Sequence, residues 1–140
     1  MASPILEWIE DYRIGVDSLD YEHQDLFQRI NELHAELTRH DDKAMVESCL
    51  GEIHARLESH FALEERFMRE HKHAAYAGHK AEHDRFLDDF VGLMAAFAGD
   101  PGQALGPRLA TLLSTWIVRH LTTHDRALAL AWKGRPGKGR

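Results

Sequence analysis

VESCLGEIHARLESHFALEERFM, residues Val46–Met68, decides how this chain reads. Val46, Cys49, Ile53, Leu57, His60, Glu64, Phe67 and Met68 return every three or four positions, with Met45 just before them. That period belongs to an amphipathic helix with one face turned to a core. Two members of the stripe, His60 and Glu64, are polar. A helix advances ~100° per residue, so positions four apart lie only ~40° apart on one face. Both side chains should point inward, where an unpaired polar group is costly. A metal ion would satisfy them together. Asp41 and Asp42 stand where the helix needs a cap, and Gly51 weakens it without breaking it.

The same pattern recurs on either side. Asp17 or Ser18 can cap a helix with the stripe Leu19, His23, Leu26, Phe27, Ile30, Leu33, Leu37. A third helix runs from about Tyr76 through His79, His83, Phe86, Leu87, Phe90, Leu93, Met94 and Phe97. Gly99, Pro101 and Gly102 then punctuate the chain. Pro107 suits the first turn of a fourth helix, with Leu109, Leu112, Leu113, Trp116, Ile117, His120 and Leu128, which Gly134, Pro136 and Gly137 close. The connections are short, so neighbouring helices should run antiparallel. The expected fold is all-α: an up-down-up-down antiparallel four-helix bundle over residues 17–132. An N-terminal extended arm (1–16) precedes it, and a flexible basic tail (133–140) follows.

Composition narrows the function. A chain of 140 residues fits one domain, and a net charge of -6 argues against a nucleic-acid surface. Cys49 is the only cysteine, which excludes an intramolecular disulfide and a thiolate metal site. No run of ~18 uncharged apolar residues predicts a membrane span. The opening MASPILEWIEDYR has no basic region followed by an apolar run, so a cytoplasmic protein is expected. Eleven histidines are the abnormal feature.

Five of them, with two carboxylates, form an ordered set: His23, then His60 and Glu64, then His79 and His83, then His120 and Asp125. Each predicted helix carries at least one inward histidine. An HxxxH pair alone is weak evidence in so histidine-rich a chain; the conjunction is not. Imidazole suits Zn, Cu, Fe and Ni, and added carboxylates shift the preference toward Fe or Mn. Seven ligands exceed the needs of one tetrahedral zinc, whereas two metals sharing bridging carboxylates use seven naturally. No HExxH is present. The ferritin-like pattern needs two Glu-x-x-His motifs, and only Glu70–His73 fits.

With these residues in view, the chain resembles the hemerythrin family, specifically its single-domain bacterial members. IGVDSLDYEHQDLF (Ile14–Phe27), HFALEERFM (His60–Met68), HKAEH (His79–His83) and WIVRHLTTHD (Trp116–Asp125) carry the likeness, which covers about residues 5–130. The resemblance implies two non-haem Fe ions that bind O2 reversibly. One iron would take His79, His83 and His120. The other would take His23 and His60 and keep an open position. Glu64 and Asp125 would bridge both, together with an oxo or hydroxo group. Reversibility needs a dry pocket. Candidate walls lie near the ligands: Phe27, Leu57, Phe67, Met68, Phe86, Leu87 and Trp116.

Periodicity and resemblance disagree at one place. A regular helix puts Asp125 ~140° from His120 and His124 only ~40° away. Periodicity alone chooses His124; the family pattern HxxxxD chooses Asp125 and predicts a π-type widening between His120 and Asp125. A second departure is Leu128, where many members of the family carry an aromatic residue. His40, His71 and His73 fall near helix ends and are expected in solvent. Asp20, three residues before His23, is either a partner for that imidazole or part of the helix start. The rival to O2 storage, delivery or sensing is a di-iron redox enzyme acting on peroxide or nitric oxide. Metal storage is disfavoured by a closed ligand set.

Overall fold

The computed structural model describes residues 5–39, 42–99 and 105–134. Expectations placed on His40, Asp41, Pro101, Gly102 and the tail beyond Gly134 lie outside these residues, as do residues 1–4 and the side chain of Pro107.

Four long helical segments make the molecule: α1 (Asp17–Thr38), α2 (Lys43–Glu70), α3 (Tyr76–Gly99), and α4 (Leu105–His120), which runs through a wide turn, Leu121–Asp125, into α5 (Arg126–Lys133). Their contacts close a ring, α1 on α2, α2 on α3, α3 on α4 and α4 on α1. Cross-contacts give the directions. His23 near the start of α1 meets Glu64 near the end of α2, while Arg29 further along α1 meets Glu52 further back on α2. His54 and Glu65 of α2 face Phe90 and His83 of α3, again in reversed order. Phe86 and His79 of α3 face Trp116 and His120. The bundle is antiparallel throughout.

The stripes read from the sequence fill the core. Ile30, Ile53, Leu57, Phe86, Phe90, Leu109, Leu113 and Leu128 are almost fully buried, each contributing about 1.5–3 kcal/mol of burial. Met45 departs from its expected place and is 40% exposed. It stands ~100° from Val46 on the helix, and Val46 is the buried residue of that pair.

The helix ends show two corrections. Asp42 caps α2 by accepting the Ala44 N–H at 2.9 Å. At α1, neither Asp17 nor Ser18 is the cap; Val16 occupies that position and gives no side-chain bond. Buried Asp20 does the joining instead, accepting the N–H groups of Ile14 at 2.7 Å and Gly15 at 3.0 Å. The end of α2 turns through Lys72 at φ 52°, with the N–H of His73 on the Met68 carbonyl and that of Lys72 on the Arg69 carbonyl. This is a Schellman closure with a lysine where glycine is usual. It also overturns the expectation for His71 and His73, which are half-buried. His71 stacks on Phe67 at 4.2 Å between ring centroids and lies near Trp132.

The arm lies along the bundle rather than fully extended, with a 3-10 turn at Glu10–Tyr12. Asn31 holds it at one point, donating to the Leu6 carbonyl and accepting the Leu6 N–H. Trp8 and Tyr12 pack edge-on against Phe27 and each other. Arg126 donates to the Asp11 carbonyl. Gly15 has φ +91°, a left-handed conformation that favours glycine.

Candidate metal centre

Among the described residues, the buried polar and charged side chains are His23, His60, Glu64, His79, His83, His120, Asp125 and Asp20. Asp20 is accounted for by the α1 junction. The other seven are the set read from the sequence, and the structure brings them all together at one end of the bundle.

Glu64 organises them. Its Oε2 lies 2.8 Å from His23 Nε2 and 3.1 Å from His60 Nε2. Its Oε1 faces the other way, 3.1 Å from His83, 3.5 Å from His79 and 3.9 Å from His120, each at Nε2. Asp125 repeats the division, with Oδ2 3.2 Å from His23 and Oδ1 3.1 Å from His79 and 3.3 Å from His120. The result is two adjoining groups of potential ligands, Glu64–His79–His83–His120–Asp125 and His23–His60–Glu64.

Asp125, not His124, reaches this centre. Leu121–Asp125 is a π-helical turn, so the extra residue between His120 and Asp125 is absorbed locally. The hydroxyls of Thr122 and Thr123 donate to the carbonyls of Val118 at 2.9 Å and Arg119 at 2.6 Å. They support carbonyls where the regular ladder is interrupted. His124 is half-buried and 4.0 Å from Glu82.

The residues fit a metal on two grounds. First, His120 Nε2 is 2.9 Å from His79 Nε2 and 3.0 Å from His83 Nε2. One imidazole nitrogen has one proton or one lone pair, so hydrogen bonds cannot satisfy this convergence. Donors about 2.1 Å from a common ion and at right angles stand about 3.0 Å apart. Second, Glu64 Oε1 and Asp125 Oδ1 are buried acceptors without a directed hydrogen bond; both face His79 and His120, and Glu64 Oε1 faces His83 as well. A cation among them removes both penalties.

A family model described as the hemerythrin HHE cation binding domain matches residues 14–130. The chain belongs to the hemerythrin family. It is 31% identical over 89% of its length to a bacteriohemerythrin of Stenotrophomonas maltophilia, covering 80% of that protein. It is 28% identical to a bacteriohemerythrin of Pseudomonas aeruginosa, over 86% of this chain and 76% of the other. A third bacteriohemerythrin, from Ralstonia nicotianae, is 28% identical over 96% of this chain and 93% of its own.

The electrostatics of this hemerythrin's site follow from its packing. Burial disfavours a charged His23, but hydrogen bonds and charge from Asp125 and Glu64 outweigh it and lift the pKa to about 10. The same balance lifts His120 to about 9 and moves His79 upward. Burial would raise Glu64 and Asp125, yet the surrounding imidazoles hold both below the usual carboxylate range. Burial and the neighbouring His120 lower His124. Carboxylates that hold protons this firmly on their neighbours would hold a cation in the same place.

The walls differ on the two sides. Trp116 stacks on His120 at 4.4 Å and on Phe86 at 4.1 Å. Phe61, not singled out from the sequence, stacks on His83 at 4.1 Å with an interplanar angle of 6°. Phe27, Leu57 and Met68 are buried, while Phe67 and Leu87 are half-buried. The ring contacts of Phe67 are with His71 and Trp132. Glu65 was also missed; its Oε2 lies 2.9 Å from His83 Nδ1. Phe61 was legible as the residue four after Leu57 and three before Glu64 on one face. Glu65 lies ~100° from Glu64 on the helix; the need of a metal-bound imidazole for a second partner was the available signal.

Proposed function

We propose that this protein binds O2 reversibly at a non-haem di-iron centre held by His23, His60, Glu64, His79, His83, His120 and Asp125. The observation that carries the reading is the unequal division of imidazoles, three against two, around carboxylates whose oxygens face both groups. The side with His23 and His60 has one donor fewer, which supports an open position there. When bound, the irons supply electrons reversibly to O2 and a place to hold it.

The chain's own residues supply the rest. Glu64 and Asp125 fix the two ligand groups relative to each other and contribute two negative charges. Phe61, Phe86 and Trp116 pack against the three-histidine side and exclude water from it. Leu57, Met68 and Phe27, each three or four residues from a ligand on its own helix, contribute buried apolar surface. Dry surroundings keep stray protons away from the site.

Turnover of peroxide or nitric oxide would call for a proton donor beside the open position. The tyrosines stand elsewhere. Tyr21 is 70% exposed, Tyr76 is 3.3 Å from Arg69, and Tyr12 packs on Trp8 and Phe27. Their placement supports binding over catalysis. No helix of the described residues is long and apolar enough to cross a membrane.

The test is the absorption spectrum of anaerobically reduced, iron-loaded protein exposed to O2 and then to argon. Charge-transfer bands that appear with O2 and vanish under argon are expected. Irreversible oxidation, or turnover with peroxide or nitric oxide, would overturn the binding reading.

A further inference from the structure

His83 is held differently from the other four imidazoles at the centre. The Nδ1 atoms of His23, His60, His79 and His120 have no hydrogen-bond partner among the described residues. His83 Nδ1 lies 2.9 Å from Glu65 Oε2. Its ring is also pinned flat against Phe61. The Glu65 side chain is only 13% exposed and has Lys80 Nζ 3.9 Å from its other oxygen. Lys80 is itself bound more closely by Asp84, at 2.9 Å, so Glu65 keeps most of its charge for the imidazole.

From this geometry we infer that Glu65 is a positioning residue of the metal centre, accepting the His83 Nδ1–H and making its Nε2 the strongest imidazole donor of the set. The inference rests on the di-iron reading above. A carboxylate behind a ligating histidine fixes the tautomer, orients the ring and raises its basicity. A hydrogen bond to an ionised acceptor is roughly twice as strong as a neutral one. The fixed tautomer leaves Nε2 bare, and Nε2 faces Glu64 Oε1 at 3.1 Å and His120 Nε2 at 3.0 Å. Helix α2 thus offers one carboxylate to the metals and the next to the histidine behind them.

A more basic ligand favours the more oxidised metal. With iron bound, Glu65 would therefore favour the oxidised centre and lower its midpoint potential. A purely structural role would leave the potential unchanged.

The experiment compares full-length wild type, Glu65→Gln and Glu65→Ala, with circular dichroism as the check on folding. Cobalt(II) is titrated into apo protein, and the midpoint potential is measured on iron-loaded protein. Glu65→Ala should weaken cobalt binding at least tenfold. Glu65→Gln keeps an acceptor but loses the charge; it should retain most of the affinity while the potential rises by about 59 mV, a tenfold shift for a one-electron couple. Equal affinity and equal potential in all three proteins would overturn the inference. If Glu65→Ala loses its helical signal, Glu65→Gln decides. Wild-type protein that takes up iron without O2-dependent bands refutes the O2 reading, and the cobalt affinities still decide the role of Glu65.

Discussion

His23 Nε2 and Glu64 Oε2 lie 2.8 Å apart across the α1–α2 contact, both out of solvent. The other oxygen of Glu64 faces imidazoles from α3 and α4. One side chain therefore faces ligand residues from α1, α3 and α4. Glu64→Gln removes the charge and turns one acceptor into a donor that points at imidazole nitrogens. Iron content should fall from two per chain to below one by elemental analysis, with helical content by circular dichroism preserved. Asp125→Asn should act in the same direction and lose less, because Asp125 has no contact with His60 or His83 comparable to those of Glu64. Less iron in Asp125→Asn than in Glu64→Gln would reverse that ranking.

Not every histidine near this end of the bundle should matter. His83→Ala removes a ligand from the three-histidine group, and its iron content should drop well below that of wild type. His71 belongs to the corner built by Phe67 and Trp132. Its Nδ1 bonds the Phe67 carbonyl at 2.9 Å, so His71→Ala should keep wild-type iron and lose about 1 kcal/mol of stability in denaturant titration. Equal iron in the two variants would remove the ligand assignment.

The contrast shows what the sequence made legible. Three- and four-residue periods placed the core stripes and carried six of the seven polar residues inside with them, because burial follows helix phase. Phase failed where the helix is irregular. Asp125 is out of phase with His120 in a regular helix, and its place came from resemblance to a family, not from periodicity. It also failed for residues whose role depends on a neighbouring helix. Glu65 reads as an ordinary flank of α2 until α3 brings His83 against it. Asp20 reads equally as a partner for His23 or as a helix-start residue, and only the path of the arm gives it the N–H groups of Ile14 and Gly15.

Protons and metal should compete openly. In apo protein prepared by chelation, His23, His79 and His120 have raised pKa values, with His23 at about 10 and His120 at about 9. A histidine raised on folding stabilises the fold fully below its unfolded value of about 6.5, and that contribution is lost as pH rises through the folded value. Glu64 and Asp125 are lowered, so their contribution is present above about pH 4 and is lost as pH falls through their folded values. The apo melting temperature should therefore decline from about pH 6.5 toward pH 10, while the loaded protein, whose imidazoles are held by metal, should decline less. Loading at neutral pH should release protons into weak buffer. A flat apo profile over that range, or uptake without proton release, would contradict the charge balance described for the site.

The wide turn makes the sharpest prediction. A π-helical turn accommodates one residue more than an α-helical turn, and Leu121–Asp125 is such a turn between two regular helices. His120 and Asp125 before and within it are buried, and so are Leu128 and Ala129 after it. Removing one exposed residue should let the helix close into regular α geometry without changing which face is buried on either side. Deletion of Thr123 should thus keep the aspartate and Leu128 on the inner face and preserve most of the bound iron. The Thr123 hydroxyl, which donates to Arg119, has no interrupted ladder to support once the turn is regular, so the melting temperature should change by only a few degrees. If deletion instead costs half the iron or more with the fold intact, the widening is needed to aim the carboxylate at both ligand groups and does more than keep register.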